Sequence, residues 1–481
     1  MTKKSNKKKK ISVLKIICTL VSIILLTCTI SLITLLKLLN VIPNLYFIIG
    51  TFFISIITLI IIFFLLKKSK KKKQNKIIKI ILILISVAII SVYLFGINYL
   101  NKTMNFFDNI NSIKEEVSNY YVIVLKDSKY QEISDLYQKK IAYFNTTDKE
   151  VLNSIKLDLT FKELGEISQV KDALYKNEAD AILISDIIKH KLEDDEPEFS
   201  EKTRILKTIS ISKEIEDITK KVTMKNTSFN VLISGIDTYG DINITTRNDV
   251  NIIATINPNS NEILLTSIPR DYYVQLHGTT GNKDKLTHAS YYGTDIVVKT
   301  IEDILETDIN YYVKVNFSTV VELVDELGGI EVYADQYMTR SSCTFKKGYN
   351  KVNGRCALVF SRERYSYADG DKHRGRNQQE VIQAIFRKVS SGTTIISEYT
   401  NILQVLDKKF ATNIDMNEAM NFLKYELNDL TNYKFLTNQL DGYGSMGPTY
   451  SYPGQDLWIM IPYEESVKNA QNLIQETLNN K

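Results

Sequence analysis

Three apolar runs in the first hundred residues, about Ile11–Leu39, Leu45–Leu66 and Ile77–Leu100, constrain this chain more than any other feature. Each is long enough for the ~20-residue helix that crosses a bilayer. Lys3, Lys4 and Lys7–Lys10 precede the first run, and Lys67, Lys68 and Lys70–Lys73 separate the second from the third. The turn between the first two runs, Asn40-Val-Ile-Pro-Asn44, carries no charge. Lysine-rich flanks stay on the cytoplasmic side. The expected arrangement is a three-span anchor in the cell membrane over residues 1–100, with a cytoplasmic N-terminus and an extracytoplasmic ectodomain after Leu100. The first run is too long for a cleaved signal peptide, and no small-residue cleavage site follows it.

Charge divides the chain at the same place. The first hundred residues hold sixteen lysines and no acidic residue, so a total of +5 less these sixteen leaves −11 for residues 101–481. An acidic domain outside the cytoplasm is a poor nucleic-acid binder, and no nucleic-acid partner is expected. Cys18 and Cys28 fall in the first span, as packing residues. Cys343 and Cys356 lie outside, where thirteen positions of separation permit a disulfide. The four histidines are scattered, which argues against a Cys/His zinc site.

The ectodomain is long enough for two domains. Residues 105–225 read as a small α/β unit. Tyr120–Leu125, Lys139–Phe144 and Ala181–Ile184 have strand character, Val170–Lys176 has helical spacing, and Glu193–Glu198 reads as an acidic loop. No catalytic constellation is visible there, and a spacer or partner-docking module is the expectation. Residues 228–481 read as a larger α/β domain with a central mixed sheet and flanking helices. Its expected strands are Phe229–Ser234, Asn251–Ile256, Glu262–Ile268 and Tyr311–Asn316, and its expected helices Val297–Leu305, Phe317–Leu327 and Gln378–Val389. Gly328-Gly329 supplies a helix stop. Gly442-Tyr-Gly-Ser-Met-Gly447 matches a dinucleotide fingerprint in letters only, because Pro448 and a Tyr/Pro-rich segment follow instead of a helix.

Charged residues gather at the expected strand ends of this domain. Asp237 follows one strand, Arg247 and Asp249 precede the next, and Arg270 follows a third. Arg362, Arg364, Asp371, Arg374 and Gln378 come from a segment with four arginines in fifteen positions. Ligands of open α/β sheets bind at strand ends. Guanidinium forks match phosphate oxygens, and carboxylates with phosphate oxygens suit Mg2+. Any single Arg/Asp pair is equally an ordinary salt bridge; the whole set suits phosphoryl transfer from a pyrophosphate. Arg362 and Arg364, two apart on an extended segment, would share one face.

The ordered segments Gly235-Ile-Asp237, Arg247-Asn-Asp249, Ser267-Ile-Pro-Arg-Asp271, Lys285-Leu-Thr-His-Ala289, Leu327-Gly-Gly-Ile330, Asn353-Gly354, Ala357-Leu-Val-Phe-Ser-Arg-Glu-Arg364 and Gly370-Asp371…Arg374…Gln378-Gln379 resemble the LytR-CpsA-Psr family of cell-envelope proteins over about 228–481. The three-span anchor and the extra domain look like its capsule-attachment branch. The resemblance implies a phosphotransferase that moves a glycopolymer, capsule or teichoic acid, from an undecaprenyl-pyrophosphate carrier onto peptidoglycan. It implies Mg2+ (or Mn2+) at Asp237 and Asp249. It implies pyrophosphate contacts from Arg247, Arg270, Arg362, Arg364, Arg374 and Gln378, with Asp371 as a further acidic site residue. Two positions depart from the family pattern: Asn248 replaces a small hydroxyl residue, and Asn377 replaces an arginine, with Arg376 displaced by one and left outside the site. A lipid-pyrophosphate hydrolase needs the same phosphate clamp and stays open as an alternative. So does a transmembrane transcriptional regulator, although the lysine tails leave no room for a helix-turn-helix on the cytoplasmic side.

Overall fold

The computed structural model describes all residues except 1–12, 41, 43, 68–71, 112–114, 146, 148, 156, 225, 239–240, 391–400, 408, 416, 423–432 and 481. Lys3, Lys4, Lys7–Lys10, Lys68, Lys70 and Lys71, on which the expected topology leans, lie outside the described residues. The chain forms two compact units, Met1–Asp108 with Asp415–Thr431 and Asn109–Ile414 with Asn432–Lys481.

The first unit contains three helices long and apolar enough to cross a membrane: α1 (Val13–Leu39), α2 (Asn44–Leu66) and α3 (Lys72–Asn111). Several of their hydroxyls bond to carbonyls of their own helix. Ser22 and Thr29 donate to the carbonyls four residues back, and Thr29 also meets Thr58 of α2 at 3.1 Å. An apolar surround offers no water to such groups, so each needs a partner in the protein. Cys18 and Cys28 are buried packing residues between these helices.

The second unit carries two main sheets and, among the described residues, four two-stranded ones. The smaller main sheet has strands β1 (Glu115–Leu125), β2 (Lys140–Phe144), β3 (Thr160–Leu164), β4 (Ala181–Ser185) and β5 (Thr203–Glu214), ordered β3-β2-β4-β1-β5. Alternation splits β1 between two cores: Val122 and Val124 face one side and Ile123 the other. Of the segment expected as an acidic loop, Glu196–Glu198 lie outside helix as expected, but Glu193–Asp195 form the last turn of a helix, Asp186–Asp195. Ser185 caps it, and the i,i+4 pairs Lys189–Glu193 and Lys191–Asp195 neutralise the acidic run that suggested a loop.

The larger sheet contains β6 (Phe229–Ile236), β7 (Asn248–Asn257), β8 (Glu262–Ser267), β9 (Tyr311–Asn316), β10 (Phe410–Thr412) and β11 (Lys434–Gln439), ordered β10-β9-β6-β7-β8-β11. It is mixed, with β9/β6 and β8/β11 parallel and the other pairs antiparallel. One face packs on the helices Thr294–Leu305 and Glu464–Asn479 through Leu232, Ile253, Leu264, Val298, Ile301 and Ile474. The other faces the helices Phe317–Glu326, Gly354–Arg362 and Asp371–Ser390. Asn316 and Asn353 cap the first two of these by accepting from Thr319 and Cys356 backbone N–H groups. At Gly354 a Cβ would lie 1.9 Å from the Val321 carbonyl, so only glycine lets these helices close on each other. The third begins at Asp371, seven residues before the expected start.

Candidate active site

The polar residues singled out in the sequence converge on one cavity of about 980 Å³ between the larger sheet and those three helices. Asp237, Arg247, Asp249, Arg270, Arg362, Arg364, Arg374 and Gln378 all line it. Asp371 lies just behind, bonded to Arg374 at 2.9 Å and 3.9 Å from Arg364. Asp371, Arg374 and Gln378 are spaced i, i+3 and i+7, which sets them on one face of their helix. Arg376 is off that face and pairs with Asp369.

The carboxylate pair is built by a bulge. Gly235 opposes Val250 and Ile236 opposes Asn248, so Asp249 is the extra residue of β7 and its direction departs from the regular alternation. A Cβ on Gly235 would come within 2.9 Å of the Val250 side chain, so glycine permits the close strand approach. Arg270 donates from one terminal nitrogen to both oxygens of Asp249, at 2.8 Å each, and its Nε lies 3.4 Å from Asp271. Lys285 holds the other Asp271 oxygen at 3.0 Å. Burial works against the charge of Asp271, but Lys285 and Arg270 outweigh it and keep its pKa below the ordinary range.

Asp237 has weaker support. Its nearest cations, Arg247 and Arg362, stand at 3.7 and 3.8 Å, beyond hydrogen-bond distance. Burial first, and then the charge of Asp249, raise its pKa above the usual carboxylate value. Two carboxylates that repel each other at the mouth of a cavity form a donor set suited to a hard divalent cation. Among the described residues no group of three or more His, Cys, Asp or Glu gathers as a metal cage. A cation at Asp237 and Asp249 would therefore need water or phosphate oxygens to complete its shell, as Mg2+ commonly does.

The remaining arginines form the rim. The extended face expected for Arg362 and Arg364 is not found, because Arg362 ends a helix and only Glu363 is extended. Arg362 stacks over Phe317 at 4.2 Å and Arg364 over Tyr365 at 4.7 Å, contacts that fix the guanidinium planes. Buried Glu363 also lines the cavity and lies 3.4 Å from Arg340. Sequence reasoning missed Arg340 and Arg355, which also line the cavity. Each lies near a cysteine in sequence, and that was the available signal. Cys343 and Cys356 are joined by a disulfide, and Arg355 donates to the Ser341 carbonyl at 3.2 Å. Removing both cysteines is expected to cost about 3 kcal/mol, the scale for a loop of this length, in equilibrium denaturation. An unchanged midpoint would show that the rim does not depend on the bridge.

Seven arginines and three carboxylates, Asp237, Asp249 and Glu363, line the cavity, a cationic site in the part of the chain that is acidic overall. The rest of the wall includes the apolar residues Ile233, Val315, Val320, Val321, Leu358, Val359, Val381 and Ile382. Of the apolar residues on the third helix, Val381 and Ile382 reach this cavity. Ile385 packs into the neighbouring core and Phe386 packs on Phe435.

Residues 198–460 match the LytR_cpsA_psr family. The chain is 34% identical over 247 residues to the polyisoprenyl-teichoic acid–peptidoglycan teichoic acid transferase TagU of Enterococcus faecalis, covering 51% of this chain and 80% of that one. TagU of Bacillus cereus is 32% identical over 229 residues, 47% of this chain and 74% of that one. Among solved structures, TagV of B. subtilis superposes with a TM-score of 0.44 at 27% identity, covering 53% of this chain and 99% of that one.

Proposed function

This chain belongs to the LytR_cpsA_psr family, and on that premise we propose that it is a membrane-anchored phosphotransferase that moves a glycopolymer from a polyprenyl-pyrophosphate carrier onto peptidoglycan. The observation that carries this reading is one cavity lined by arginines, a carboxylate pair and a set of apolar side chains. A substrate with a pyrophosphate head and a polyprenyl tail has both of those chemistries. The three apolar helices keep the domain at the bilayer where such a carrier resides, which raises its effective concentration. We place the N-terminus in the cytoplasm and the ectodomain outside, where peptidoglycan is.

Arg247, Arg270, Arg362, Arg364 and Arg374 hold the pyrophosphate, with Gln378 donating from the helix face. Asp249, Asp271 and Asp371 fix the buried guanidiniums Arg270 and Arg374 before substrate arrives, so little reorganisation is needed as charge develops on phosphorus. A Mg2+ bound at Asp237 and Asp249 would neutralise charge on the phosphate oxygens and on the departing polyprenyl phosphate.

The full chain, given Mg2+, a lipid-linked saccharide pyrophosphate and peptidoglycan, should form saccharide–peptidoglycan conjugates. Release of saccharide phosphate alone, by attack of water on the same phosphorus, would instead mark a hydrolase. Arg362→Ala and Arg364→Ala should each lose about 1.5–3 kcal/mol of transition-state binding, or roughly 10- to 100-fold in transfer rate. Neither should shift the melting temperature much, because both side chains are substantially exposed. Near-normal transfer by both would remove the arginine rim from the mechanism.

A further inference from the structure

A second, smaller cavity of about 190 Å³ adjoins the first and shares Arg247 with it. One wall is the helix Asp186–Asp195 of the small sheet's domain, which contributes Asp186, His190 and Lys191. The opposite wall is Arg247 with Tyr291 and Tyr452, whose hydroxyls lie 3.3 Å apart. Neither domain builds this cavity alone. Tyr452 is buried in the core beneath that helix, so the two walls are held in fixed register. The loop leading to Arg247 is also tied to the small sheet: Val117 donates to Asn243 and accepts from Thr245, at 2.8 and 3.0 Å.

We propose that this second cavity is the acceptor site, where a sugar ring of the acceptor is held with its reacting hydroxyl toward Arg247. The proposal rests on the phosphotransferase reading and adds to it the site that a hydrolase would not need. The lining mixes the Asp186 carboxylate, two imidazoles, the cations Lys191, Arg247 and Lys285, the Thr246 hydroxyl and two phenols. That combination offers both donors and acceptors, as sugar hydroxyls require. The size suits one ring and excludes the polymer, which the larger cavity and its open mouth accommodate. In-line transfer requires the incoming oxygen and the leaving oxygen on opposite sides of phosphorus, so acceptor and lipid carrier must enter from different sides. In the step, the acceptor hydroxyl oxygen bonds to the saccharide-bearing phosphorus as the P–O bond to the polyprenyl phosphate breaks. The hydroxyl proton ends on the released polyprenyl monophosphate, and the products are that monophosphate and a phosphodiester.

The test uses the full chain in detergent or nanodiscs, a short-chain polyprenyl-pyrophosphate disaccharide as donor, and purified peptidoglycan glycan strands as acceptor. Conjugate formation and water-driven release of disaccharide phosphate are measured in parallel for the unaltered protein, His190→Ala, Lys191→Ala and the cavity-filling His190→Trp. His190 is half exposed and Lys191 pairs with Asp195 on its own helix, outside the apolar core. The expected result is an acceptor KM raised about tenfold or more by loss of hydrogen bonds to a bound sugar, with disaccharide phosphate release at its original rate. An unchanged ratio of conjugate to disaccharide phosphate in all three variants would overturn the proposal. Equal loss of both products would overturn it too, because the helix would then only support the fold. If the unaltered protein releases disaccharide phosphate and forms no conjugate, the transferase reading itself fails.

Discussion

Glu116→Ala is expected to destabilise the unit Asn109–Ile414 with Asn432–Lys481 by about 3–5 kcal/mol, the cost of removing one partner from a buried ion pair. Glu116 sits on the small sheet and Lys314 on the large one, each about 6% exposed, and they meet at 2.6 Å. Thr294 completes the carboxylate's shell with its N–H at 2.8 Å and its hydroxyl at 2.5 Å. Burial opposes the charge of Glu116, yet Lys314 and Thr294 more than compensate, and its pKa falls below the ordinary 4.5. The sign follows from linkage: a depressed carboxylate contributes stability at neutral pH and loses it as pH falls through the folded value. Urea melts at pH 7 should show the full loss in Glu116→Ala. Glu116→Met with Lys314→Met should recover most of it, because no charge is then left unpaired in the interior. The gap between the unaltered protein and the alanine variant should close in acid. A loss below about 1 kcal/mol at pH 7, the range of an exposed pair, would mean that water reaches this joint.

The joint also explains which parts of the molecule could be read from the chain. Long apolar strands such as Asn251–Ile256 and Tyr311–Asn316 declare themselves, since burial on both sides leaves nothing else for such runs to do. The site residues were legible for a related reason, as arginines and carboxylates recur just beyond strand ends. What stayed hidden depends on contacts across the fold. The strand Thr203–Glu214 pairs along one edge only and exposes alternate residues, so its signal is half that of a central strand. Glu193 and Asp195 read as loop in the chain alone, and Lys189 and Lys191, one turn back, neutralise them within a helix. Arg340 and Arg355 are isolated in sequence and come together beside the disulfide. The second cavity has walls separated by more than fifty residues, and no local pattern encodes it.

Asp237→Asn is expected to move stability and activity in opposite directions. The ionised carboxylate is held in a partly buried site facing Asp249, with no cation within hydrogen-bond distance among Arg247 and Arg362. Its pKa is raised by burial first and by Asp249 second, and the arginines offset this only in part. A carboxylate with a raised folded pKa costs stability at neutral pH, and that cost disappears as pH falls through the folded value. In metal-free buffer at pH 7 the asparagine variant should therefore melt higher than the unaltered protein, and the two should converge on acidification. Transfer should fall by about 100-fold or more, because an amide cannot supply the charge that a divalent cation or a developing phosphoryl transition state requires. Mg2+ should raise the melting temperature of the unaltered protein by preferential binding to the folded state and leave the variant largely unmoved. Asp249→Ala is the useful contrast. It strips Arg270 of its bidentate partner, so it should lose stability along with activity. A lower melting temperature for Asp237→Asn under metal-free conditions, or transfer within a few-fold of normal, would show that Asp237 is an ordinary structural carboxylate and that the phosphate site is organised without it.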